Sequence, residues 1–324
     1  MLAIGVDIGG TKIAGALVAH DGRIVAEERV DTPADEPELI LDLVTSMVSR
    51  LRSGQLIAGV GVVVPGFIDR TGDTVYYAPN VDWRDEPLKS RLQQRIDVPV
   101  TVDNDANAAG WAEFIYGAGR MVSDMTMLTI GTGVGGAVIT GGALFRGGFG
   151  AGAELGHMRL VPNGLPCGCG ARGCVEQYGS GRALQRFAER IADNDPVDGA
   201  MLAAIRPRDG RLTGEAIGEL IAAGDRGAVA ALREIGGWIG QAAASLSAVL
   251  DPEMFVIGGG VALAGDLLLD PIRDSYHAHL PARGFHPEAS FRTAELGNDA
   301  GMVGAAALAR DAAGAAPTFP GSLD

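Results

Sequence analysis

The chain begins with apolar runs broken by glycine. LAIGVDIGG (2–10) and TKIAGALVAHDGRIVAEERV (11–30) read as strand, turn, strand, and HDGR (20–23) is a second hairpin turn. Over 38–51, ELILDLVTSMVSRL, the spacing puts Leu39, Ile40, Leu43, Val44, Met47, Val48 and Leu51 on one helical face. IAGVGVVVPG (57–66) predicts a buried strand ending at Pro65-Gly66. PLKSRLQQRI predicts a helix, PVTVDND (99–105) a strand, and NAAGWAEFIYG (107–117) a helix directly after it. Strands alternating with helices predict an α/β architecture.

The opening pattern then returns. MTMLTIGTGVGGAVITGGALF (125–145) is again strand, glycine turn, strand, which predicts duplicated halves with a cleft between them. Residues 181–250 carry helical periodicity, PEMFVIGGG (252–260) is a buried strand breaking into glycines, and DAGMVGAAALARDA (299–312) is a last helix. The end, AGAAPTFPGSLD, has the composition of a frayed tail.

At 324 residues the chain exceeds one ordinary core, so two domains are expected. Net charge is −14 and no basic stripe interrupts it, which argues against a nucleic-acid partner. No apolar run reaches the ~18–20 residues of a membrane span, and the N-terminus lacks a basic leader, so a cytoplasmic protein with no membrane partner is expected. Only two lysines occur, Lys12 and Lys89. Anionic ligands must therefore be met by local devices such as backbone amides and metal ions.

GTGVGG (131–136) matches the dinucleotide pattern G-x-G-x-x-G, but the β-branched AVIT that follows does not continue as the helix this motif needs. Two glycine hairpins, Gly9-Gly10-Thr11 after Asp7 and Gly131-Thr132-Gly133, are either tight turns or amide cradles for a polyphosphate. Their pairing, together with Gly258-Gly259 after a third strand, favours phosphate. Lys12 is a phosphate ligand or an exposed strand residue. Asp7 could hold Mg2+ through water. Asp105 at a strand end is either a helix cap or a general base. All three cysteines, Cys167, Cys169 and Cys174, lie within eight positions, ten residues after His157. They are small buried thiols or, with His157, a closed Cys3His zinc site, with Gly168, Gly170 and Gly173 letting the backbone wrap the ion.

DIGGTK, NDANAAGWAE, GTGVGGA, GAELGHM and CGCGARGCVE together resemble the ROK family of sugar kinases and repressors, from Ile4 to about Leu308. The cysteine motif with its upstream histidine is the most specific of these. The resemblance implies an α/β, two-domain actin-like ATPase (ribonuclease H-like) fold. The final helix would return to a first domain of 1–110 plus 299–315, with 111–298 as the second domain and 316–324 as tail. It implies ATP- and Mg2+-dependent phosphorylation of glucose, with Asp105 as base, a structural Zn2+, and Gly66, Asn80, Asn104, Asp105, Glu154, His157 and Glu176 around the sugar. Trp83 and Trp111 are expected to fill core. Other hexoses (N-acetylmannosamine, N-acetylglucosamine, mannose), a polyphosphate donor and a sugar-sensing regulator are the rival readings. The family implies a dimer or tetramer.

Overall fold

The computed structural model describes residues 1–314 except Pro79 and Asp209. The expected tail at 316–324 lies outside the described residues. The chain starts with β1 (Leu2–Ile8), β2 (Lys12–Val18), β3 (Ile24–Asp31), α1 (Pro37–Arg52) and β4 (Ile57–Val64). β5 (Phe67–Ile68), β6 (Val75–Ala78) and β7 (Trp83–Glu86) form a small sheet, followed by α2 (Leu88–Gln93), β8 (Val100–Asn104) and α3 (Asp105–Tyr116). Then come β9 (Met125–Ile130), β10 (Val134–Thr140) and β11 (Ala143–Leu144). The helices α4 (Glu176–Gly179), α5 (Gly181–Asn194), α6 (Ala200–Ile205), α7 (Gly214–Ala222) and α8 (Arg226–Leu250) precede β12 (Met254–Gly258), α9 (Asp266–His279), β13 (Ser290–Thr293) and α10 (Ala300–Ala312).

Two five-stranded sheets share one topology. The first runs β3-β2-β1-β4-β8 and the second β11-β10-β9-β12-β13. β1, β4 and β8 are mutually parallel, as are β9, β12 and β13. The repeated strand–glycine–strand pattern is therefore a repeated sheet, and the fold is α/β as expected. β4 is buried at every residue, the mark of a central parallel strand covered on both faces.

The chain packs as two compact units. One holds Met1–Ser123, Ala137–Ala153 and the segment from Glu295; the other holds Asp124–Gly136 and Glu154–Ala294. In the first unit α1 buries Ile40, Leu41, Val44, Met47, Val48 and Leu51 against the sheet. Leu41 takes the place expected for Leu39, which is exposed, because the true stripe starts one residue later and keeps the 3.6-residue period. Trp83 and Trp111 are both buried, as expected. Among the described residues no helix is long and apolar enough to cross a membrane.

The other face of the first sheet receives α10 at very short range. Gly5 of β1 and Gly61 of β4 are register partners. A Cβ on Gly5 would lie 1.8 Å from Met302 O, and one on Gly61 would lie 1.9 Å from Ala305 O. On the opposite side of α10, a Cβ on Gly304 would lie 1.8 Å from Ala108 O of α3. A glycine groove and an alanine-rich helix thus lock sheet, α10 and α3 into three layers, and α3 stays whole within the first unit. Gly61→Ala forces the α10 backbone away and is expected to cost about 1–3 kcal/mol, read as a lower denaturant midpoint at unchanged m-value.

Candidate active site

Parallel β1, β4 and β8 bring their carboxyl ends to one edge, where open α/β sheets bind ligands. Asp7 lies near the end of β1, Pro65-Gly66 follow β4, and Asn104 ends β8. Asn104 caps α3: its Oδ1 accepts from Ala106 N (2.8 Å) and Asn107 N (3.0 Å). Its Nδ2 donates to Gly66 O (3.0 Å), tying the loop after β4 to the helix start. A Cβ on Gly66 would lie 2.3 Å from Tyr77 O, so this glycine lets the loop lie on β6. Gly10 packs on Asn80, with a Cβ there 2.9 Å from Asn80 Cβ. The structure therefore joins Gly66 to Asn104 and Gly10 to Asn80, and brings Asp105 close enough to Asp7 for their charges to interact.

Asp105, not Asn104, is the first residue of α3, so the cap, the alternative reading of Asp105, belongs to its neighbour Asn104. One Asp105 oxygen accepts from Ala106 N (2.9 Å). Burial pushes the Asp105 carboxyl above its usual range, against that hydrogen bond. Asp7 is raised to about 7, first by burial and then by the charge of Asp105. The side chain of Asp7 also lies over the start of α10, where a Cβ on Gly301 would be 2.4 Å from Asp7 Oδ2. Two desolvated carboxylates that repel each other make a natural seat for a divalent cation. Thr11 and Lys12 are exposed at the hairpin, whose turn is closed by Gly9 N to Lys12 O (2.9 Å) and Thr32 Oγ1 to Gly9 O (2.7 Å).

Sequence reasoning missed Asp103. This buried residue accepts from Asn104 N (2.8 Å) and Asn107 Nδ2 (2.9 Å) on Oδ1, and from Arg146 Nε (2.8 Å) and Nη2 (2.6 Å) on Oδ2. An acidic residue on a buried strand was the available signal.

In the second unit, β10 follows the Gly131-Thr132-Gly133 turn directly, so no dinucleotide-binding helix is present there. Gly258 pairs with Thr129, and Gly259 is left-handed (φ 84°), its would-be Cβ 2.4 Å from Ile130 O. Gly131 and Thr132 of the turn and Gly260, just after these two glycines, border a cavity of about 800 Å3 that also takes Gly181, Gly218, Leu232 and Val261; Gly258 and Gly259 themselves do not line it. The helical wall from α5, α7 and α8 escaped the sequence reading, because its residues, small and apolar ones with Arg182, Gln185 and Glu215 among them, form no motif along the chain.

His157 and the three cysteines do come together: their four candidate ligand atoms lie within 4.8 Å of one another. Cys167 Sγ is 3.7 Å from His157 Nδ1, and Cys169 Sγ is 3.7 Å from Cys174 Sγ. Tetrahedral ligands at ~2.3 Å from a central ion are ~3.8 Å apart, so the set fits a cation-binding site. Burial and then the neighbouring thiols push the Cys174 thiol up to about 12, a cost that a central cation removes. Gly173 is required by its φ of 79° and a would-be Cβ 1.7 Å from Val161 O, and Gly170 by its φ of 89°. Gly168 has open space and a permissive backbone, so the expected constraint does not apply to it. Glu176 joins this cluster to the glycine turn: Cys167 Sγ approaches Oε1 (3.7 Å), and Val134 N donates to Oε2 (3.4 Å), which covers Gly133. Glu154 is half-buried and accepts His157 N on its backbone oxygen (3.0 Å).

Duplicated sheets, glycine turns at strand ends and a carboxylate at a helix start define a sugar kinase of actin-like ATPase fold. The ROK family model matches residues 3–312, and the chain belongs to the ROK family. It is 46% identical to a glucokinase of Streptomyces coelicolor, over 96% of this chain and 98% of that protein. It is 33% identical to an N-acetylmannosamine kinase of Escherichia fergusonii, over 96% and 99%. A ROK family glucokinase from Streptomyces griseus, solved in complex with glucose and AMPPNP, aligns with a TM-score of 0.84 at 46% identity, over 96% of this chain and all of that one.

The raised Asp7 carboxyl has a stability consequence. The folded state holds its proton up to about pH 7 while the unfolded chain releases it near 3.8. The cost of burying the charge is therefore absent below pH 4, grows between the two values and is complete above pH 7. In a metal chelator, Asp7→Asn is expected to be more stable than wild type by about 2–4 kcal/mol at pH 8 and equal to it at pH 4. Denaturant titrations at the two pH values read this.

Proposed function

We propose that the protein transfers the γ-phosphoryl group of ATP to the 6-hydroxyl of glucose. The observation that carries this reading is Asp105, a desolvated carboxylate with a raised pKa at the first turn of α3, pinned by the Asn104 cap and the Gly66 loop. A base of this kind takes the hydroxyl proton as the oxygen attacks phosphorus. The relatives named glucokinase, similar over nearly the whole chain, give glucose as the acceptor and ATP as the donor.

The remaining roles follow residue by residue. Gly9, Gly10 and Thr11, and likewise Gly131, Thr132 and Gly133, offer amide and hydroxyl donors to phosphate oxygens, with Lys12 as a mobile cation. Gly258 and Gly259 lead the chain into Gly260 on the wall of the 800 Å3 cavity, which would receive the nucleoside. Asp7 would hold Mg2+, which when bound neutralises charge on the phosphates. His157, Cys167, Cys169 and Cys174 would hold Zn2+ as a closed structural site. Nδ1 of His157 faces the sulfurs, which leaves Nε2–H as a fixed donor to a sugar hydroxyl. Gly66, Asn80, Asn104, Glu154 and Glu176 are the other sugar-binding residues. A cytoplasmic location and a dimeric or tetrameric assembly belong to the same proposal. N-acetylmannosamine is the second reading, favoured by the 33% identical kinase.

ADP release across a hexose panel is expected to be fastest with glucose. A preference for N-acetylmannosamine would replace the first reading by the second. Asp105→Asn should lower kcat about 10²–10⁴-fold with little change in melting temperature; turnover near the wild-type rate removes Asp105 from the role of base. Purified protein should carry one zinc per chain by elemental analysis. Cys174→Ser should lose that zinc and raise the KM for glucose more than that for ATP.

A further inference from the structure

The first unit holds a second cavity, of about 480 Å3, within the size range of small-molecule sites. Its wall carries Arg70, Lys89 and Arg146. Arg146 is engaged by Asp103. Arg70 and Lys89 have no ion pair or side-chain hydrogen bond among the described residues. They place two cations without an acidic partner on one cavity of a chain whose net charge is −14. They are also held on one rigid frame. Lys89 N donates to Asp73 O (3.2 Å), and Ser90 N and Oγ donate to Asp73 Oδ1 (3.1 and 2.7 Å), fastening the 69–74 loop to the start of α2.

Three acids face the same space, and none opposes an incoming anion fully. Asp103 is matched by Arg146. Asp69 commits Oδ1 to Asp73 N and Thr74 N, and Oδ2 to Thr71 N and Oγ1. Asp311 Oδ2 accepts from Trp111 Nε1 (2.7 Å), and burial lifts its carboxyl above the usual range, opposed by that hydrogen bond and by the charges of Arg310 and Arg146. Asp311 Oδ1 and Thr101 Oγ1, on lining residues, are buried with no hydrogen-bond partner. A small side-chain rotation would offer them to hydroxyl groups. Ile68, Val102 and Leu308 add apolar wall for a carbon skeleton.

We propose that this cavity binds a small phosphorylated polyol, its phosphate on Arg70 and Lys89 and its hydroxyls toward Thr101 and Asp311. Arg146 connects the site to Asp103, whose other oxygen holds Asn104 N and Asn107 Nδ2 beside Asp105. A ligand in the cavity therefore sits one ion pair from the start of α3.

The test is calorimetric titration of glycerol 3-phosphate into the full chain saturated with glucose and AMPPNP, so that the sites for sugar and nucleotide are filled. The same titration into the unliganded chain reads the cavity whether or not glucose binds. One saturable site per chain is expected, with inorganic phosphate at least about tenfold weaker because it lacks the hydroxyls. Arg70→Ala and Lys89→Ala should each weaken binding about tenfold and leave helix content and turnover unchanged. Absence of saturable binding, undiminished binding by the double variant, or equal affinity for inorganic phosphate overturns the proposal.

Discussion

The burial of Asp7 and Asp105 in one small volume is the constraint on which the first unit depends. Each carboxylate is desolvated, and the charge of Asp105 adds to the burial that lifts Asp7 to about 7. Such a pair is costly unless the backbone around it is fixed. The fixing is done by glycines in register on β1 and β4, which let α10 press to contact distance, and by α3 packed on the far side of that helix. Rigid layers then present Asp7 from a strand and Asp105 from a helix start, places where a side chain is aimed by its backbone rather than by a loop.

The second unit meets a different difficulty with a different device. Residues 157–176 contain almost no regular structure, only isolated bridges such as Arg159–Cys174 and Pro166–Arg172. A loop of this kind has little apolar burial to hold it. Four candidate ligand atoms at tetrahedral spacing are placed so that a bound cation would cross-link them, and the same geometry selects which nitrogen of His157 is turned inward. Glu176, between Cys167 and the Gly133 turn, ties that loop to the Gly131-Thr132-Gly133 hairpin.

The sequence spoke most clearly where backbone chemistry is restrictive. Glycine at a strand end, three cysteines within eight positions, and an apolar run like β4 each admit few structures, so the hairpins, the Cys3His cluster and the central strand were legible. It spoke less clearly where position depends on a distant partner. Leu39 and Leu41 carry the same side chain, and only the seating of α1 on the sheet decides which is buried. Gly168 looks like Gly170 and Gly173, yet only the latter two are conformationally required.

By itself, then, the sequence determined the element types, the duplication, the likeness to sugar kinases and the residues able to bear the chemistry, because periodicity, turn chemistry and ligand type are local properties. The tertiary structure alone decided that Asp103 is buried and clamped by Arg146 beside Asp105, that Asn104 rather than Asp105 caps α3, and that Arg70 and Lys89 meet at one cavity. The clamp and the cavity depend on residues 43 and 19 positions apart converging in space and on which of them water no longer reaches. Neither is encoded in any short stretch of the chain.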